Sequence, residues 1–130
     1  MKSATYFNRK TFSRYDDKRV IAYLHEQVIE SYTPEDAPEG FAPRTAYTYS
    51  GTEADGGTLI DAATDTRDDL INGIIRSRFT QTEEDAIKTH QLLRLTDPEH
   101  PLAAQYADEF NLFNIEREYA ISTVASWLAQ

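Results

Sequence analysis

The chain has 130 residues, 40% of them hydrophobic and 12% aromatic, with 22 acids against 13 bases and a formal net charge of −9. That length and apolar content suit one packed domain, residues 1–130, rather than a disordered segment. The acidity argues against a surface for nucleic acid or anionic lipid, and the lack of cysteine removes disulfides, thiolate nucleophiles and Cys-based metal sites.

No stretch approaches the ~20 apolar residues of a membrane-spanning helix. Residues 1–8 have no apolar core of signal-peptide length, so the expected location is the cytoplasm and no membrane partner is expected. The charge is uneven. Residues 1–19 hold Lys2, Arg9, Lys10, Arg14, Lys18 and Arg19 against Asp16 and Asp17, a net +4, while the remainder carries −13. A basic end on an acidic body could steer a partner, or one copy onto another. The plainer reading is a strand with a Lys/Arg-rich solvent face.

Residues 5–15 alternate in the manner of a strand, and Asp16-Asp17-Lys18 follows as a turn, because Asp side chains bond their own backbone nearby. Residues 20–32 are ambiguous. Val20, Ala22, Leu24 and Val28 keep a period of two with Glu26 out of place, whereas Val20, Ile21, Leu24 and Val28 would also form a helical stripe. Strand is the preferred reading, since a turn directly after a strand of similar length is the grammar of a hairpin. Residues 33–44, with Pro34, Pro38, Gly40 and Pro43, read as an exposed loop. Residues 45–50 and 58–61 read as short strands around a turn at Asp55-Gly56-Gly57. Residues 1–62 therefore predict an antiparallel meander of about three to four strands.

Residues 66–128 change to a helical period. Leu70, Ile71, Ile74, Ile75 and Phe79 share one face, with Asp65 or Thr66 as the cap and Asp68 and Asp69 suited to the macrodipole. Thr80 and Glu83 have capping-box spacing and open a second helix through Leu93, with Ala86, Ile87, His90 and Leu93 expected on its buried side. After Pro98 and Pro101 nothing breaks a helix from Leu102 to Leu128, roughly 40 Å at ~1.5 Å per residue. The fold class is thus α+β: strands, then two short helices, then one long C-terminal helix.

Tyr106, Phe110, Phe113, Arg117, Ala120, Val124 and Trp127 form a heptad-like seam along the last helix, interrupted once at Arg117 and expected to pack on the protein itself. Leu112, Ile115 and Tyr119 lie on another face. A helix apolar on two faces needs two neighbours, so these three are the candidate contact for a partner protein or a second copy. His25, His90 and His100 have no metal-ligand spacing, and His90 is expected as a hydrogen-bonded core residue. Glu83, Glu84 and Asp85 look like a first-turn acidic run facing solvent. No nucleophile elbow, phosphate loop or aromatic–basic RNA motif is present, so no catalytic residue, cofactor or metal is assigned. Six of the eight tyrosines (Tyr6, Tyr15, Tyr23, Tyr32, Tyr47 and Tyr49) fall in the strand half, where a pleated surface accommodates them.

The segments TYFNRKTFSRY, RVIAYLHEQVIESYTPE, TAYTYSGTEADGGTLIDA, LINGIIRSRFTQTEEDAI and DEFNLFNIERE, in that order, resemble small uncharacterised proteins of gut-bacterial phages and prophages. The resemblance implies a phage-like context, with a virion, tail or host-associated accessory role, and carries over no catalytic residue. The expected function is a non-enzymatic protein-interaction or assembly module. The alternative is a small enzyme or small-ligand binder using carboxylates and tyrosines on the sheet face. A nucleic-acid-linked regulator using the basic N-terminus is disfavoured by the overall charge.

Overall fold

The computed structural model describes residues 1–129 and has an α+β fold in the expected order, strands first and three helices after. The chain divides into two compact units, Met1–Ile60 and the residues from Asp61 onward, close to where the sequence changes period.

The strand unit is richer than a meander of three or four. It contains β1 (Lys2–Tyr6), β2 (Phe12–Arg14), β3 (Arg19–Ala22), β4 (Gln27–Tyr32), β5 (Arg44–Gly51) and β6 (Thr58–Asp61). These form two three-stranded sheets, ordered β1-β5-β4 and β2-β3-β6. Residues 5–15 are therefore not one strand. The chain leaves the first sheet after Tyr6 and enters the second at Phe12. Residues 20–32 also split, between β3 of the second sheet and β4 of the first. The break falls at His25, whose φ of 59° lies in the left-handed region and ends the run of period two just before the misplaced Glu26. The expected pairing of β5 with β6 is replaced by pairing of β6 with β3.

Local chemistry explains the turns. Asp16 Oδ1 accepts from the backbone N–H of Lys18 and Arg19 at 2.9 and 2.8 Å, closing the β2–β3 hairpin as expected. Those bonds, with the Arg19 side chain foremost, hold the Asp16 carboxyl below its usual range. Gly56 sits at φ +84°, and at Gly51 a Cβ would run into the Gly57 carbonyl, so the β5–β6 turn requires both glycines. Val20, Ala22, Leu24, Ala46, Tyr49 and Ile60 are buried, and β4 is exposed along most of its length.

The helical unit comprises α1 (Arg67–Arg78), α2 (Gln81–Thr96) and α3 (Ala103–Leu128). Thr66, one of the two expected caps, caps α1 by accepting from Asp69 N, and Thr80 caps α2 by accepting from Glu83 N as the sequence predicts. α3 starts without a side-chain cap and packs on both shorter helices. Its 26 residues span about 39 Å at ~1.5 Å per residue. The seam is largely buried: Tyr106, Phe113, Ala120, Val124 and Trp127 are inside, Phe110 is intermediate and Arg117 is exposed.

The buried side of α2 differs from expectation. Ile87 is buried and His90 half-buried, but Ala86 and Leu93 are exposed and Glu84 is inside. Glu84 sits inside paired with the basic side chains of Arg76 and Lys88.

Candidate functional site

In the strand unit three tyrosines from different strands converge. Tyr6 ends β1, Tyr23 follows β3, and Tyr49 lies in β5 with no exposed surface. Tyr23 stands edge-on to both Tyr6 and Tyr49, at centroid distances of 6.3 and 5.7 Å. Their hydroxyls are committed internally. Tyr6 donates to the Asp55 carbonyl at 2.6 Å and Tyr23 to Asp55 Oδ2 at 2.9 Å. Tyr49 donates to Glu26 Oε2 at 2.9 Å and accepts from the Lys10 backbone N–H at 2.8 Å. The Lys10 ammonium lies 4.8 Å above the Tyr6 ring, so the chain's own cation occupies this aromatic face.

Burial, then the Asp55 carboxylate, pushes Tyr23 up to about 12. Burial likewise raises Tyr49, with Glu26 adding to it against the Lys10 N–H, and burial and Asp55 raise Tyr6. All three remain protonated donors at neutral pH. Tyr15 does not join them; it is exposed beside the β2–β3 turn with Arg19 over its ring.

The helical unit contains a cleft of about 250 Å³ between α1, α2 and α3. At its inner end Glu84, only 7% exposed, takes an ion pair from Arg76 of α1 and another at 2.5 Å from Lys88, one turn further along α2. Burial pushes the Glu84 carboxyl up, but the hydrogen bonds from Lys88 and Arg76 outweigh it and hold the group below its ordinary value. Arg76 also donates to the Phe79 carbonyl at 3.1 Å, while its buried Nε has no acceptor among the described residues. Sequence reasoning placed Glu84 in solvent and assigned Arg76 and Lys88 nothing. The i,i+4 spacing of Glu84 and Lys88 is the signal that could have found part of this network. Arg76 reaches it only through packing.

His90 stacks on Tyr106 at 4.2 Å with rings 12° apart, and its Nδ1 lies 2.6 Å from Glu109 Oε1. It is thus a hydrogen-bonded bridge between α2 and α3. Among the described residues no group of three His, Cys, Asp or Glu side chains could hold a metal ion.

On the outer side of α3, Leu112 is 51% and Ile115 65% exposed, while Tyr119 is half-buried. Leu92, Leu95 and Leu102 are exposed as well. No helix among the described residues is long and apolar enough to cross a membrane. Compared with known proteins, the chain matches no family model, no curated protein and no solved structure.

Proposed function

We propose that this protein is a non-enzymatic assembly module that joins further copies of itself through the outer face of α3, with Leu112, Ile115 and Tyr119 as the contact. The observation carrying this reading is the exposure of two large aliphatic side chains, Leu112 and Ile115, on a helix whose seam is already buried.

Charge supports a second copy as the occupant. Asp108, Glu109, Glu116 and Glu118 outnumber Arg117 around the stripe, and residues 1–19 carry +4. The basic stretch of one copy complements the acidic margin of the next. Such a contact joins unlike surfaces and generates rings or filaments. That geometry suits a virion or tail accessory, a role resting on the segment resemblance alone. The titrating groups that do shift move away from neutrality, the tyrosines upward and Glu84 downward, opposite to what an acid–base catalyst needs.

The test is solution mass by light scattering behind size exclusion, across concentration and salt. An oligomer that weakens in salt is expected, and Ile115→Asp should return it to monomer while changing monomer stability by no more than about 0.5 kcal/mol. A strict monomer at every concentration overturns self-assembly.

A further inference from the structure

None of the three contact residues Leu112, Ile115 and Tyr119 lines the cleft between α1, α2 and α3. We propose that it is a binding site for a small organic oxyanion, a carboxylate or phosphate ester carrying a compact apolar group.

Charge segregation is the first ground. From Asp61 onward the chain has six bases (Arg67, Arg76, Arg78, Lys88, Arg94 and Arg117) and thirteen acids. Four of those bases line the cleft, but only two of the acids, Asp68 and Glu84. A strongly acidic unit thus concentrates its cations around one concavity. Charge focused by low-dielectric walls attracts an anion.

The second ground is how those cations are engaged. Glu84 is satisfied by Arg76 and Lys88 together, so the trio keeps one positive charge, and the Arg76 guanidinium has a donor, Nε, that no group among the described residues accepts from. Among the described residues Arg67 and Arg117 form ion pairs with their sequence neighbours, Asp68 at 3.1 Å and Glu118 at 3.5 Å. Adjacent residues do not face each other on a helix, and pairs this exposed are weak. Both guanidinium groups therefore have little to lose by turning toward a ligand, and their planar fork matches carboxylate or phosphate oxygens. Arg117 is also the residue that interrupts the apolar seam of α3. Aimed at a ligand, it has a reason to stand where packing alone would favour an apolar side chain.

The third ground is the apolar wall. Phe113 and Ile75 are buried and Ile71 and Ile121 half-buried along the same cleft, so an apolar group attached to the anion would be sheltered. A volume of about 250 Å³ lies below the ~300–1,000 Å³ usual for drug-sized ligands, which suits a small metabolite.

The experiment is an amide NMR titration of the full chain with benzoate, phenyl phosphate and, as the cationic counterpart, benzamidine. Saturable shifts concentrated on cleft residues are expected with benzoate or phenyl phosphate and not with benzamidine, and the tighter anion identifies the oxyanion. The double variant Arg67→Gln/Arg117→Gln should bind about tenfold more weakly or worse. Both positions are exposed, so its spectrum should otherwise match the parent. Asn72→Trp, an exposed change at the lining, should block the cleft independently. Ile115→Asp should leave binding unchanged, which separates this site from the assembly contact. Failure of both anions to saturate at millimolar concentration overturns the proposal. So does equal binding of benzamidine, or binding indifferent to both cleft variants.

Discussion

The strand unit and the helical unit bury polar groups by opposite means. The strand unit uses neutral donors: Tyr6, Tyr23 and Tyr49 place protonated hydroxyls against Asp55 and Glu26. The helical unit buries a charge, Glu84, and surrounds it with Arg76 and Lys88. The reach of the contacts differs too. Tyr6 and Tyr23 meet Asp55 across 49 and 32 positions, whereas Arg76 and Lys88 lie 8 and 4 positions from Glu84. A hydroxyl needs a single acceptor, so distant strands can each contribute a piece. A buried carboxylate needs several donors at once, and here Lys88 comes from the next turn of α2 and Arg76 from the end of α1 packed beside it.

If that contrast is right, the largest loss comes from removing the ring at the centre of the strand unit. Tyr49→Ala should cost about 3–5 kcal/mol in denaturant unfolding, because it opens a cavity and strands the Lys10 N–H. Tyr49→Phe keeps the ring and should cost only about 1 kcal/mol. Similar losses for the two variants would show that the hydroxyl, not the packing, matters there.

Next comes the buried charge. Glu84→Ala leaves Arg76 without its partner and should cost about 2–3 kcal/mol, less than a fully buried pair because Lys88 is half exposed. Glu84 has a depressed folded pKa, so its contribution is present above the ordinary value of 4.5 and is lost as pH falls through the depressed one. Acid titration of stability should be shallower in Glu84→Gln than in the parent. Equal slopes would show that other carboxylates dominate the acid response.

The smallest effect belongs to Tyr23, where Tyr23→Phe should cost about 1 kcal/mol. Its folded pKa is raised from 10.0 to about 12, so its contribution is complete below pH 10 and lost as pH climbs through 12. Tyrosinate absorbance should show one fewer late-titrating group in Tyr23→Phe than in the parent, where Tyr6 and Tyr49 are raised as well. The alkali-labile tyrosines thus lie in the strand unit, while carboxylates with lowered pKa lie in both, Asp16 in the first unit and Glu84 in the second. A Tyr23 or Glu84 variant that changed both arms of the pH profile equally would break that assignment.

The helices were readable because their signals are local. Thr66 and Thr80 cap where a hydroxyl precedes a helical period, and the α3 seam is buried at most of the positions its spacing marks. The Asp16 turn and the bounds of β6 follow from equally short-range chemistry. Sheet membership was not readable. A period of two says that a residue run is extended, not which neighbour it joins, so the transfer of the chain between sheets after Tyr6 and at His25 left only the misplaced Glu26 as a trace. For the candidate sites, exposure of Leu112 and Ile115 agrees with a second apolar face on α3. The cleft was invisible, since its cations come from three helices and no linear spacing joins Arg67, Lys88 and Arg117.

By itself the sequence determined the α+β class, the place where strands give way to helices, the helix caps and the seam of α3. Each depends on residues within a turn or two of one another. Only the tertiary structure decided which strands share a sheet, that Glu84 is buried while Leu93 is exposed, and that four cations of an acidic unit border one cleft. Those outcomes turn on which distant side chain arrives to satisfy a polar group, and that depends on how the finished elements pack.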